Sequence, residues 1–455
     1  MTGLLARLRR FYAPPTSAPR LPEPEVRARY PVYRWRAMEA TFLGYAMYYL
    51  VRNNIGTVAK DMETSLLYSK SMIGDILAVT AISYGLSKFL MGSVSDRSDA
   101  RKFMATGLLL SAILNFAFGA SSDYYVHLSL WALNGFVQGM GWPPCGRSMG
   151  HWFSESERGL TFSIWNVSHN VGGGVAGVLA AWAVMEFGGW RFAFYAPGTV
   201  ALVGAAYIFL RLRDTPQSVG LPPIEEYRND YPLGHNAETD EVELTFRELF
   251  FDKVLLNKYV WVLALANFFA YITRYSMLDW GPTYLREVKG ASLGGGGLAI
   301  LAVEFGGIPS TILLGWLSDS LGGRRCMIAA LCMIPVFGAF LAILFTPPGY
   351  YWIDMLMLML ITIGFFIYPV INLIVIAALD IVSKKAIGTA AGFIGLFGYA
   401  GRTVQAKGFG WAVDHYGAEG GAAAGWNVVL WSILVCAALA FLLLAAVWNL
   451  RTRPE

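Results

Sequence analysis

Charge is scarce in this chain. Only 15% of its 455 residues are Asp, Glu, Lys or Arg, against about 25% in ordinary soluble domains. The net charge of +4 is spread over connecting segments, so no basic face argues for nucleic acid as a partner. Cysteine is scarce too. Cys145, Cys326, Cys332 and Cys436 lie in or beside apolar runs. They form neither a paired framework nor a metal spacing, and read as small packing residues. No Gly-rich loop with GKS or GKT is present, which excludes a Walker-type nucleotide hydrolase. No nucleophile–base constellation suggests an enzyme; Cys145 and Arg147 in "GWPPCGR" read as helix packing. Behind "RLRR" comes "APPTSAPRLPEPE" rather than an apolar core with a cleavage site, which argues against a cleaved signal peptide. Ten-residue alternating segments, the mark of a spanning β-barrel, do not dominate. Nothing calls for a cofactor or a metal.

Apolar length is what the chain has. Hydrophobic residues make up 56% of it, and the mean hydropathy is +0.48. Twelve runs suit a hydrocarbon core about 30 Å thick. They are 35–57, 72–95, 103–121, 125–150, 159–186, 190–211, 257–285, 294–318, 326–346, 350–379, 387–414 and 424–449. The expected fold is an all-α membrane protein of twelve transmembrane helices in two pseudo-symmetric six-helix bundles, 35–211 and 257–449. Around them lie an N-terminal arm 1–34, a polar, acid- and proline-rich linker 212–256, and a tail 450–455.

Basic residues set the orientation. Arg7, Arg9, Arg10, Arg20, Arg27, Arg29, Arg34 and Arg36 in the arm share a side with Arg97, Arg101, Lys102, Arg158, Arg324, Arg325, Lys384, Lys385, Arg451 and Arg453. Lys60, Lys70, Arg286 and Lys289 fall opposite. Both termini are therefore expected in the cytoplasm.

The halves repeat. "GSVSDRSDARK" follows the second run and "GWLSDSLGGRR" the eighth, so Gly92, Asp96 and Arg101 match Gly315, Asp319 and Arg324 as conformational loop motifs, with Arg97 added in the first copy. Glycine there lets helix ends approach, and the acid can cap a helix or pair with the basic residues. Arg52 precedes Gly92 by 40 residues and Arg274 precedes Gly315 by 41. Matching arginines thus stand in the first helix of each half. These motifs resemble the signature of the major facilitator superfamily. The resemblance spans nearly the whole chain and implies a central cavity between two bundles that opens to each side alternately.

A charge at mid-membrane costs about 2.5–3.5 kcal/mol on insertion scales, so it is paired or functional. Arg52, Lys88, His169, Arg274, Asp279, Glu304, Arg402 and Lys407 all lie within apolar runs. Each has a plainer reading. Arg52 or Lys88 could snorkel, His169 could be a packing residue, and the two acids could compensate Arg274 or each other. Two guanidiniums in symmetry-related helices nonetheless point to an oxyanion, because their forks match phosphate oxygens bidentately. A phosphate monoester carries about −1.5 to −2 at neutral pH, close to what two arginines balance. A histidine titrating near 6.5 could tune that balance.

The segments "YYLVRNN", "YGLSKFLMGSVSDRS", "QGMGWPPCGR", "WNVSHNVGGG", "DTPQSVGLPPIEEYRNDYP", "RYSMLDWGPTYL" and "GTAAGFIGLFGY" resemble the organophosphate:phosphate antiporters of that superfamily. The resemblance implies a monomeric carrier in a bacterial inner membrane that exchanges a phosphate ester for inorganic phosphate. Glycerol-3-phosphate is the first expectation. Phosphoglycerate, phosphoenolpyruvate and hexose-6-phosphate are alternatives, as is proton symport or a sensing role, since some relatives sense rather than transport. It implies phosphoryl binding by Arg52 and Arg274, with Lys88, Tyr45, Tyr49, Tyr84, Asn166, His169, Tyr271, Tyr368 and Tyr399 lining the pocket. Asp279, Glu304 and Lys407 are then expected in gating or ion pairs, the acids exchanging partners between states. Two departures matter. Asn53 stands where glycerol-3-phosphate carriers have lysine, and Arg402 and Lys407 add cations with no nearby acid on their helix. Lys407 could therefore favour a substrate with an extra carboxylate, or balance Asp279 and Glu304.

Overall fold

Helix α1, Glu23–Leu50, starts well inside the expected arm and runs without a break into the first apolar run. Pro22 at its cap and acids in its first turn suit a helix start. The computed structural model describes residues 6–7, 10–230, 255–349, 355–381 and 387–450. Arg9, Lys384, Lys385, Arg451, Arg453, most of the linker's acidic stretch and the first residues of the tenth run lie outside these, as does the side chain of Arg158.

All the regular elements among the described residues are helical. After α1 come α2 Ile55–Leu66, α3 Lys70–Ser95, α4 Ala100–Ala120, α5 Tyr124–Gln138, α6 Trp142–Trp152, α7 Glu155–Phe187 and α8 Phe192–Arg211. The second half holds α9 Lys258–Tyr275, a π-helical turn Ser276–Trp280, α10 Gly281–Val288, α11 Leu293–Ser320, α12 Arg325–Phe345, α13 Met355–Ile381, α14 Ile387–Gly420 and α15 Ala422–Ala446. Local chemistry marks the starts. Ser69, Asp99, Asp123, Asn257 and Ser292 each accept a bond from a backbone N–H in the first turn, and Ser154 with Glu157 forms a capping box on α7.

Among the described residues seven helices are long and apolar enough to cross a bilayer unaided: α4, most of α7, α8, α11, α12, most of α13, and α15. The other five expected spans are the ones that hold breaks or the site's charge. The first is interrupted between α1 and α2, the fourth between α5 and α6, and the seventh by the π turn. Helices α3 and α14 carry Lys88, Arg402 and Lys407.

Packing pairs α1 with α7, α3 with α5 and α4 with α8 in the first half, and α11 with α13, α12 with α13 and α9 with α14 in the second. The halves meet along two crossings, α3 on α14 and α7 on α11. Both are close. A Cβ on Gly74 of α3 would lie 2.6 Å from the Ala406 carbonyl of α14, and one on Gly297 of α11 would lie 2.6 Å from the Gly177 carbonyl of α7. Glycine is what lets these backbones touch.

At the end away from the termini, ion pairs join the halves. Lys70 Nζ reaches Glu63 at 2.8 Å and Glu287 at 2.9 Å, and Arg286 makes two bonds to Asp61. Asp414 accepts from the Lys70 and Ser71 backbone N–H groups. Among the described residues no ion pair joins the halves at the termini end, so the bundle is sealed at the far end.

The loop motifs behave differently from expectation. Side chains added at Gly92 and Gly315 would meet open space, so neither glycine serves a close approach here. Asp99 rather than Asp96 caps the next helix; Asp96 offers its backbone carbonyl to Arg147. In the second copy the acid does pair with a basic residue of the motif, Asp319 with Arg325.

Candidate functional site

Both first helices are interrupted beside their arginine. Helix α1 ends at Leu50 and α2 begins at Ile55, leaving Arg52 in a non-helical step. Arg274 sits two residues before the π turn. Breaks of this kind place side chains and freed backbone groups at transport sites.

The two guanidiniums are buried, with Arg52 6% and Arg274 7% exposed. Among the described residues neither forms an ion pair, and each leaves a buried Nε without a hydrogen-bond partner. Aromatic faces hold them instead. Arg52 lies 4.0 Å from the Tyr49 ring centroid and 4.8 Å from that of Tyr84. Arg274 lies 4.2 Å from Tyr368 and 5.1 Å from Tyr275. His169 bridges the two sets, with ring centroids 6.0 Å from Tyr49 and 5.8 Å from Tyr368. Tyr45 packs on Tyr49 and stacks on Trp165. Tyr84, Tyr399, Tyr271 and Tyr275 continue as successive ring contacts 5.1–5.7 Å apart. Rings and arginines from both halves therefore form one continuous cluster. Asn166 stands half-buried one turn before His169.

Lys88 is not in this cluster. It is exposed, 5.6 Å from the Trp142 ring and one turn beyond Tyr84 toward the termini end. Glu304 is fully buried and bonded to neutral groups: Asn170 Nδ2 donates to its carboxylate at 3.0 Å, and so does the Tyr368 hydroxyl. The expectation that the acids compensate Arg274 or each other is corrected for Asp279. Arg402 grips Asp279 with two bonds, 2.8 and 3.2 Å, and lies 4.1 Å from the Tyr275 ring. The partner of Asp279 is thus a cation of α14, in the same half.

Lys407 is also placed differently. It bonds Asp75 at 2.7 Å and Ser71 at 2.8 Å, where α3 crosses α14, and balances neither Asp279 nor Glu304. For the phosphate esters expected from the sequence, Lys407→Ala should accordingly lower uptake of phosphoglycerate and glycerol-3-phosphate by the same factor. Paired uptake assays would return Lys407 to the pocket if phosphoglycerate alone suffered.

Tyr275, Asn170 and Trp165 were missed by sequence reasoning. Tyr275 and Asn170 directly follow Arg274 and His169. On a helix the next residue points about 100° round the axis, so neither shares its neighbour's face in a sequence pattern.

Glu63 lies beyond the first apolar run. Burial pushes its carboxyl up to about 6, against the pull of Lys70 and with Glu287 and Asp414 pushing the same way. A sealed far end thus holds this proton more tightly than an open, hydrated one. The seal is favoured in acid, loses stability as pH rises from about 4.5 to 6, and is level above that. In the exchange expected from the sequence, the parent protein should slow between about pH 7 and pH 5 relative to Glu63→Gln. Parallel pH–rate profiles for the two would remove this role from Glu63.

The fold and cluster invite comparison with known proteins. The model of the Major Facilitator Superfamily matches residues 41–406. A glycerol-3-phosphate transporter of Bacillus subtilis is 43% identical over 98% of this chain and 99% of its own length. A probable hexose phosphate transport protein of Chlamydia pneumoniae is 36% identical over 97% of each. A bacterial homologue of the human lysosomal transporter Spinster, solved in an inward-facing and occupied conformation, superposes with a TM-score of 0.74 at 16% identity. That match covers 93% of this chain and 99% of the other, and bears on the fold alone.

Proposed function

The chain belongs to the major facilitator superfamily, and we propose that it is a carrier in a bacterial inner membrane that exchanges a phosphate ester, glycerol-3-phosphate first, for inorganic phosphate. The observation behind this is the pair of buried guanidiniums, one from each half, that form no ion pair among the described residues. A divalent oxyanion between them satisfies both forks. The names of the 43% and 36% identical relatives support a phosphate ester as substrate.

Empty, the two cations repel and hold the halves apart. An anion bound between them favours the closed intermediate, a differential affinity that lowers the barrier to rocking of 35–211 against 257–449. The rings of Tyr49, Tyr84, Tyr275 and Tyr368 keep the guanidiniums extended toward the ligand while it is absent. Both termini face the cytoplasm, and one chain suffices.

Proteoliposomes loaded with labelled phosphate test this. Glycerol-3-phosphate, 3-phosphoglycerate or glucose-6-phosphate is added outside and label efflux followed. Efflux driven by glycerol-3-phosphate without an imposed proton gradient is the expected result. Efflux with another ester renames the substrate. Uptake that needs a proton gradient and no internal phosphate would replace exchange by symport. Ester binding without any flux by folded protein would move the chain to sensing.

A further inference from the structure

The break that frees Arg52 is held from outside its own helix. Val51 is fully buried, and with α1 ended its carbonyl has no partner one turn on. Two side-chain amides reach it. Asn115 Nδ2 of α4 and Asn134 Nδ2 of α5 each donate to that carbonyl at 2.9 Å. Asn115 is itself fixed, because its oxygen accepts from Asn54 Nδ2 at 2.9 Å. Asn54 also donates to the Ala193 carbonyl at 2.9 Å. All three asparagines are fully buried.

The Val51 carbonyl carbon is bonded directly to the Arg52 nitrogen. Two amides on one carbonyl therefore fix the peptide plane from which the arginine side chain departs. A tilt of about 10° there shifts the far end of an arginine by about 1 Å, an error that costs on the order of 100-fold where geometry is exacting. In the second half the matching carbonyl, that of Thr273, accepts one side-chain bond from within its own chain segment, Ser276 Oγ at 2.7 Å, and among the described residues no side chain of another helix donates to it. Arg274 lies within a continuous helix, and the π turn comes after it.

We propose that Asn115 and Asn134 are positioning residues for Arg52, setting the angle at which its guanidinium meets the anion. This rests on the reading of Arg52 and Arg274 as the oxyanion site. A plain structural role would be to satisfy a buried carbonyl, and would cost folded protein without touching affinity or choosing between the two arginines.

A double-mutant cycle separates the roles. Binding of inorganic phosphate to purified protein is measured for Asn134→Leu alone and combined with Arg52→Lys or Arg274→Lys. Asn134→Leu should weaken binding about 10-fold in the parent and as much with Arg274→Lys. With Arg52→Lys already present it should cost less than about 2-fold, because residues acting through one another are not additive. Asn134→Ser, which keeps a hydroxyl donor, should recover part of the loss, and Asn115→Ser gives a second entry if leucine blocks folding. Unchanged affinity in folded Asn134→Leu and Asn134→Ser, or equal losses in both lysine backgrounds, overturns the proposal. If neither lysine variant weakens phosphate binding, the oxyanion site itself fails, and the positioning role with it.

Discussion

Arg52→Lys and Arg274→Lys should each cut phosphate-driven exchange by about 10- to 100-fold while leaving the protein folded. Lysine keeps the charge but loses the planar fork, and a hydrogen bond to a charged group is worth about 1.5–3 kcal/mol. Glutamine at either position should cost more. Removing one partner of a buried, bonded charge pair costs about 2–5 kcal/mol, and each 1.4 kcal/mol is tenfold. Because the guanidiniums come from opposite halves, the two lysine variants should suffer alike, and combining them should leave no measurable exchange. Efflux from phosphate-loaded vesicles, scored against the amount of folded protein, checks this. A lysine variant that exchanges at the parent rate would remove that arginine from the anion site. The same pair predicts which variants gain stability. Two buried guanidiniums that form no ion pair among the described residues repel one another, so either glutamine variant should melt at or above the parent temperature despite being inactive.

The arginines were legible in the sequence because two independent signals coincided: a permanent charge inside an apolar run, and the same offset from a repeated loop motif. Hydropathy located most helix ends within a few residues for the same reason, since burial in lipid leaves little choice of composition; the start of α1 at Glu23, in the polar arm, escaped it. Partners were harder to read. Arg402 and Asp279 are 123 residues apart, and no periodicity along one helix links α14 to the π turn after α9. Lys407 and Asp75 lie on different halves, so their pairing depends on how α3 crosses α14. The interruption at 51–54 was hidden inside an apolar run, because the groups that stabilise it, Asn115 and Asn134, belong to other helices. Asn53 marks where the resemblance implies a lysine, and the structure pairs Asp279 with Arg402 of α14.

That pairing has a consequence for how the carrier moves. Asp279 and Arg402 both belong to the second half, so their pair survives when the halves rock. A pair between halves would have to break in each cycle. Asp279 is therefore better placed as a fixed counter-charge than as a gate that exchanges partners. Asp279→Asn should be among the most destabilising single changes available, because it leaves Arg402, 4% exposed, without its acid. Breaking a buried pair in this way costs about 3–5 kcal/mol. Asp279→Leu combined with Arg402→Met removes both charges and should recover most of that loss, since apolar replacement of a whole buried pair is often neutral or better. Melting of the detergent-solubilised variants measures the first effect, and exchange by the double variant decides the second. If the pair is static, the double variant transports, with a rate lowered only as far as Tyr275 loses the guanidinium on its face. If Asp279 trades partners during the cycle, the double variant is stable and cannot exchange. The gating then falls to the pairs that do cross the seam, Lys70 with Glu287, Arg286 with Asp61 and Lys407 with Asp75. All of these must part before the far end can open.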